Sequence, residues 1–127
     1  MESKITVKSV MREPVWASVK DTVLSTVEQM VTHNIGAIII VKASSPVGII
    51  TERDIIEKVV KTRKNPKKMR AEDIMSSPLI TIEPDKSITD ALKLMRDKRI
   101  RRLVVIRPPL HVLVGIVSQR RLLEALV

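Results

Sequence analysis

Within its 127 residues the chain carries the same pattern twice. Met11-Arg12-Glu13-Pro14-Val15 recurs as Met75-Ser76-Ser77-Pro78-Leu79, at an offset of 64. Val27-Glu28-Gln29-Met30 recurs as Leu92-Lys93-Leu94-Met95, and 35–41 as 100–106, at an offset of 65. Val47-Gly48-Ile49-Ile50-Thr51-Glu52-Arg53 recurs as Val114-Gly115-Ile116-Val117-Ser118-Gln119-Arg120, at 67. The drift fits small insertions near Lys86 and Pro108-Pro109. Order, polarity and punctuation are kept together, which is the mark of a duplicated structural unit.

Each copy reads strand, helix, strand, strand, helix. The first strand is expected over 15–19 and 79–83, after Met-x-x-Pro. A helix follows near Thr22 or Ser87, with apolar positions Val23, Val27, Met30, Val31 and Ile88, Ala91, Leu92, Met95 at helical spacing. Ser87 with Asp90 forms a capping-box pattern. Continuous apolar strands follow at 37–41 and 103–106. Turns carrying Pro46 or Pro108-Pro109 lead to the last strands, 47–50 and 112–117. Closing helices carry Ile55, Ile56, Val59, Val60 and Leu122, Leu123, Leu126. The expected organisation is a repeat over 7–61, a basic linker over 62–72 and a repeat over 73–127. So small a unit buries too little surface to stand alone. The expected fold is therefore α/β (α+β), two β-α-β-β-α repeats packed sheet to sheet about a pseudo-twofold axis.

Composition removes several function classes. The chain has no cysteine, so thiol nucleophiles, disulfides and zinc-thiolate sites are excluded. His33 and His111 have no ligand set around them, and no metal site is expected. No apolar run approaches the roughly 20 residues of a membrane span, and a cytoplasmic protein is expected. No nucleophile–base pair or phosphate loop stands out, so no catalytic residue is assigned and an enzyme is not expected. The net charge of +9 draws anions. It is densest in Lys58, Lys61, Arg63, Lys64, Lys67, Lys68 and Arg70, and again in Arg96, Lys98, Arg99, Arg101 and Arg102. Trp16 is the only aromatic residue. It reads first as a core anchor, with the wall of a ligand pocket or a dimer seam as alternatives.

The stretch Gly48-Ile49-Ile50-Thr51-Glu52-Arg53-Asp54 runs from a strand straight into a helix. Thr51 and Asp54 have the spacing of a capping box. The same pair also sets a hydroxyl and a carboxylate at a helix N-terminus, where amides favour an anion. Both readings stand on the residues alone.

Two copies in register, each opened by Met-x-x-Pro and closed by Gly-h-h-Thr-x-x-Asp (h apolar) or its variant, resemble a cystathionine β-synthase (CBS) domain pair, or Bateman module. The resemblance implies a binding module for adenosine-type ligands: AMP, ADP, ATP or S-adenosylmethionine, with no required cofactor. By position it gives Thr51 and Asp54 to the ribose and counts Arg53 between them among the nucleotide-binding residues. Val15, Trp16, Ala17, Ile35, Gly36 and Ala37 match the adenine slot. Arg101 and Arg102 match positions that reach across to phosphates. A carboxylate accepts both hydroxyls of a cis-diol through strong charge-assisted bonds, and guanidinium groups match phosphate oxygens.

The second copy departs from the pattern, because Arg121 stands where Asp is expected. The resemblance then implies a weaker second site at Ile80, Ser118 and Arg121. A cation in a helix's first turn costs about 0.3–1 kcal/mol. Glu124 offsets this, or Arg121 meets a ligand phosphate or a partner chain. The resemblance also implies a homodimer, a disc of four repeats burying helix faces around Val59-Val60 and 122–126, and an effector protein that reads ligand occupancy. Nucleic-acid binding rests on charge alone and stands as the alternative, since stacking aromatics and a helix-turn-helix pattern are absent.

Overall fold

The computed structural model describes residues 5–127. In chain order its helices are α1 (Val7–Val10), α2 (Val23–Thr32), α3 (Glu52–Ile55), α4 (Ala71–Ile74), α5 (Ile88–Lys98) and α6 (Gln119–Ala125). Its strands are β1 (Trp16–Ser18), β2 (Ala37–Lys42), β3 (Ser45–Thr51), β4 (Thr81–Ile82), β5 (Arg102–Arg107) and β6 (Val112–Ser118). A π-helical turn, Ile56–Val60, continues α3, and a 3-10 turn covers Pro66–Lys68. The mixed α/β class and the repeated strand-helix-strand-strand-helix order hold.

The chain forms two compact units that do not coincide with the two repeats. The first unit is Val15–Leu79, and the second joins the described residues through Pro14 to Ile80–Val127. Each repeat therefore gives its leading Met-x-x-Pro segment to the other unit. Helix α1 sits with the second unit, and α4 with the first.

In the first unit β2 is the central strand. It pairs parallel with β1 (Trp16 with Ile39) and antiparallel with β3 (Ala37 with Thr51). The second unit repeats this with β4, β5 and β6 (Thr81 with Val104, Arg102 with Ser118). Alternation sorts the side chains. Ile38 and Ile40 enter a core with Ala17, Val23, Met30, Ile50, Val59 and Ile74. Leu103 and Val105 enter a core with Val7, Ile88, Met95, Val117 and Leu122. Ile39 and Val104, on the opposite strand faces, are also buried, which explains why both central strands are uninterrupted apolar runs.

The polar punctuation falls where the sequence put it. Thr22 and Ser87 cap α2 and α5, each accepting from the amide three residues on (3.1 and 3.0 Å), and of the expected Ser87–Asp90 capping box only this half forms. Three details differ. The first strands are shorter than expected, at Trp16–Ser18 and Thr81–Ile82. Pro46 lies inside β3, and the turn before it is Ala43-Ser44, both at positive φ (50° and 67°). Pro46 is tolerated because β3 is an edge strand and its ladder shifts register there. Trp16 is not a core anchor: it is 58% exposed. In a three-residue strand only the central Ala17 faces the core, and Trp16 points the other way.

Candidate functional site

Thr51 closes β3 and caps α3 with the reciprocal bonds of a capping box. Thr51 Oγ1 accepts from the Asp54 amide at 3.4 Å, and Asp54 Oδ2 accepts from the Thr51 amide at 2.9 Å. Oδ2 also accepts from the Thr51 hydroxyl at 3.2 Å. The other oxygen, Oδ1, accepts from Ser76 Oγ at 3.0 Å and pairs with Lys58 Nζ at 2.9 Å. Asp54 is buried, and with Thr26 it is one of two buried polar side chains among the described residues. A buried carboxylate is tolerated only when paired and hydrogen-bonded, and this one has both supports.

Gly36 and Ala37 stand beside this pair. The Gly36 carbonyl accepts from the Glu52 amide at 3.1 Å, and buried Ala37 is directly opposite Thr51. Ile35 is half-buried just before them. Thr51, Asp54, Gly36 and Ala37 are thus gathered at one end of β2. Val15, Trp16 and Ala17 flank β2 from its other edge, where the Val15 carbonyl accepts from the Ile39 amide at 3.0 Å. Arg53 is exposed and forms no ion pair among the described residues.

Arg101 and Arg102 belong to the second unit. The Arg101 carbonyl accepts from the Gln119 amide at 2.8 Å, and Arg102 pairs with Ser118. They hold beside Ser118 the places that Gly36 and Ala37 hold beside Thr51. Ser118 caps α6 through the Arg121 amide at 3.2 Å, and the Ile80 carbonyl accepts from Val104 at 3.3 Å. Arg121 does not pair with Glu124. Its Nε donates to the Val10 carbonyl at 2.8 Å, at the C-terminal end of α1. The first unit has the same tie from another position: Lys58 Nζ donates to the Ile74 carbonyl at 2.7 Å, at the end of α4. A cation at a helix C-terminus satisfies an orphan carbonyl and suits the dipole. That local gain compensates the unfavourable place of Arg121 in the first turn of α6.

Lys58 and Ser76 were not among the residues assigned to the site from sequence. Lys58 was visible, being four residues after Asp54 on a helix. Ser76 was not, because only the fold brings it to Asp54.

The family model for the CBS domain matches residues 7–61 and 71–127. The chain belongs to the CBS-domain family. Protein MK0525 of Methanopyrus kandleri is 42% identical over 114 residues, which is 89% of this chain and 58% of that protein. The chain thus spans little more than half the length of that relative. A protein with CBS domains from Burkholderia ambifaria has a TM-score of 0.83 at 29% identity, covering 94% of this chain and 85% of that one. The CBS pair of protein MJ0100, solved with 5′-methylthioadenosine and S-adenosylmethionine, has a TM-score of 0.85. It covers 98% of this chain and 97% of its own, and at 24% identity it establishes the shared fold. No described helix of this CBS pair is long and apolar enough to cross a membrane.

Proposed function

We propose that this CBS pair is a cytoplasmic regulatory module, not an enzyme, that binds an adenine nucleotide of the AMP, ADP or ATP class. The observation that supports it best is the buried Asp54 carboxylate at the start of α3, flanked by the Gly36 carbonyl and the small side chain of Ala37. Asp54 with Thr51 takes the ribose diol, and the carboxylate gives it acceptor strength. Ile35, Gly36, Ala37 and the 15–17 strand line the adenine, since small residues let backbone groups approach a flat base. Arg53, Arg101 and Arg102 take the phosphates. The second unit lacks the diol acceptor, so Ile80, Ser118 and Arg121 form at most a weaker site. Occupancy acts on an effector protein by shifting populations between states of unequal affinity.

Calorimetric titration with AMP, ADP, ATP and S-adenosylmethionine tests this. The expected result is one nucleotide per chain, lost in Asp54→Ala. At 100 times its dissociation constant the nucleotide adds about 2.7 kcal/mol of stability. Two nucleotides per chain contradict the inequality of the sites. Absence of binding by all four leaves Thr51 and Asp54 as a helix cap.

Self-association is part of the proposal, with one change from the sequence expectation. Val59 and Leu122 are buried in their own cores. The exposed apolar side chains beside them are Ile56 and Val60 in the first unit and Leu123 and Leu126 in the second. These are the faces offered to a second copy.

One observation favours a secondary affinity for nucleic acid. The stretch 58–70 holds seven cations and no acidic residue. Of these, Arg63, Lys64, Lys67 and Lys68 are exposed and form no ion pair among the described residues.

A further inference from the structure

Asp54 has four donors on its two carboxylate oxygens. A carboxylate offers about four lone-pair directions. Oδ2 receives the amide and hydroxyl of Thr51, and Oδ1 receives Ser76 Oγ and Lys58 Nζ. A cis-diol needs two acceptor directions, so two of these donors must leave. Both donors on Oδ2 belong to Thr51, the N-cap residue, and its amide bond to Oδ2 is the reciprocal half of the capping box. The donors on Oδ1 are the replaceable ones. Ser76 is an exposed residue, and the Lys58 side chain is 42% exposed.

The two replaceable donors differ in what they lose. Lys58 Nζ also donates to the Ile74 carbonyl at 2.7 Å, so it keeps a partner when it leaves Asp54. Arg121 shows that such a tie stands without a carboxylate, because it holds the Val10 carbonyl at 2.8 Å and forms no ion pair among the described residues. Ser76 Oγ has Asp54 as its only partner among the described residues. Its hydroxyl occupies the acceptor in the manner of a sugar hydroxyl.

We propose that Ser76, assisted by Lys58, is a latch on Asp54 that a cis-diol ligand must displace. The inference rests on Asp54 being the diol acceptor. Ser76 is also well placed to pass the event on. Its backbone is clamped to Ile49 (2.8 and 3.1 Å), and the chain leaves this unit at Leu79, three residues later. Exchange of the Ser76 hydroxyl for a ligand hydroxyl therefore changes the restraint on the segment that crosses between units. The second unit has no such latch, since Arg12 and Arg121 stand where Ser76 and Asp54 do.

The test uses adenosine, which carries no phosphate to engage Lys58, and its dideoxy analogue, which lacks both ribose hydroxyls. Wild type, Ser76→Ala and Asp54→Ala are titrated in a calorimeter and melted without ligand. Removing the competing hydroxyl is expected to tighten adenosine about tenfold, the scale of one hydrogen bond to a charged group. Affinity for the dideoxy analogue stays unchanged, and the ligand-free melting temperature of Ser76→Ala falls. Adenosine binding by Ser76→Ala alone, and not by wild type, supports the latch equally. If wild type binds adenosine through Asp54 and Ser76→Ala binds no tighter, the latch is wrong and the diol reading survives. A gain of equal size for both nucleosides also overturns the latch, since it reports general loosening. If no folded variant binds adenosine, the diol reading falls and the latch with it. Ser76→Gly, which also lacks the hydroxyl, replaces Ser76→Ala if the latter does not fold.

Discussion

Gly48 and Gly115 are bare because a methionine occupies the space a side chain would take. A Cβ on Gly48 would lie 2.5 Å from Met75 Sδ, and one on Gly115 would lie 2.6 Å from Met11 Sδ. The Met of Met-x-x-Pro and the Gly of Gly-h-h-Thr, which look like separate punctuation in the sequence, are the two sides of one contact. Gly48→Ala should cost about 1–3 kcal/mol, the usual scale for overpacking. Gly115→Ala should cost at least as much, because its Cβ also meets the Arg12 carbonyl at 3.0 Å, and backbone yields less than a thioether. Denaturant melts measure both, and a neutral Gly115→Ala would refute the contact. Trp16 gives a second residue-scale prediction. Its exposure should leave its fluorescence open to quenching by iodide, and adenosine should reduce that quenching if the 15–17 strand lines the base. The Thr51–Asp54 box was legible because its partners are three residues apart. The exposure of Trp16 was not, since three strand residues carry too little alternation to fix a face.

At the scale of elements, the sequence marks helix starts better than anything else. Thr22, Thr51, Ser87 and Ser118 all accept from the amide three residues on, as N-cap side chains do. Thr22→Ala and Ser87→Ala should each cost about 1 kcal/mol, since both caps serve long helices that contain neither Thr51 nor Asp54. Equilibrium unfolding checks this, and loss of nucleotide binding in either variant would count against a purely structural role. The π-helical turn after α3 had no signal, because Ile56-Glu57-Lys58-Val59-Val60 contains neither Pro nor Gly. Its widened bonding is visible only in the structure, where the Lys61 amide reaches the Ile56 carbonyl at 3.0 Å. Such turns often sit at functional positions, and this one contains Lys58. The Ala43-Ser44 turn was hidden for a related reason. Positive φ at both residues is the geometry that Asn-Gly normally announces, and here neither residue announces it.

At the scale of the molecule, charge and exposed apolar surface make opposite demands that can be separated by experiment. If Ile56 and Val60 face a second copy, Ile56→Glu with Val60→Glu should lower the sedimenting mass and leave the fold intact by circular dichroism. An unchanged mass would remove that face from consideration. If the 58–70 stretch holds nucleic acid, binding should weaken steeply as salt rises, since each released counterion adds to the slope. A flat slope would remove the secondary affinity. The duplication was legible from matched residues at near-constant offsets. The partition into units was not, because a repeat reports copying and carries no record of which copy a segment packs with.

That partition sets a rule for cutting and splicing. A CBS repeat bounded at 7–61 keeps Gly48 but loses Met75 and Ser76, and it carries α1, which belongs with the other core. A chimera between two such proteins that exchanges whole repeats would therefore mix foreign and native halves in both cores at once. Junctions at 14/15 and 79/80 transplant one core complete, with its methionine plug and its serine. The unit that was copied and the unit that can be exchanged are out of phase by the length of one short helix and its turn.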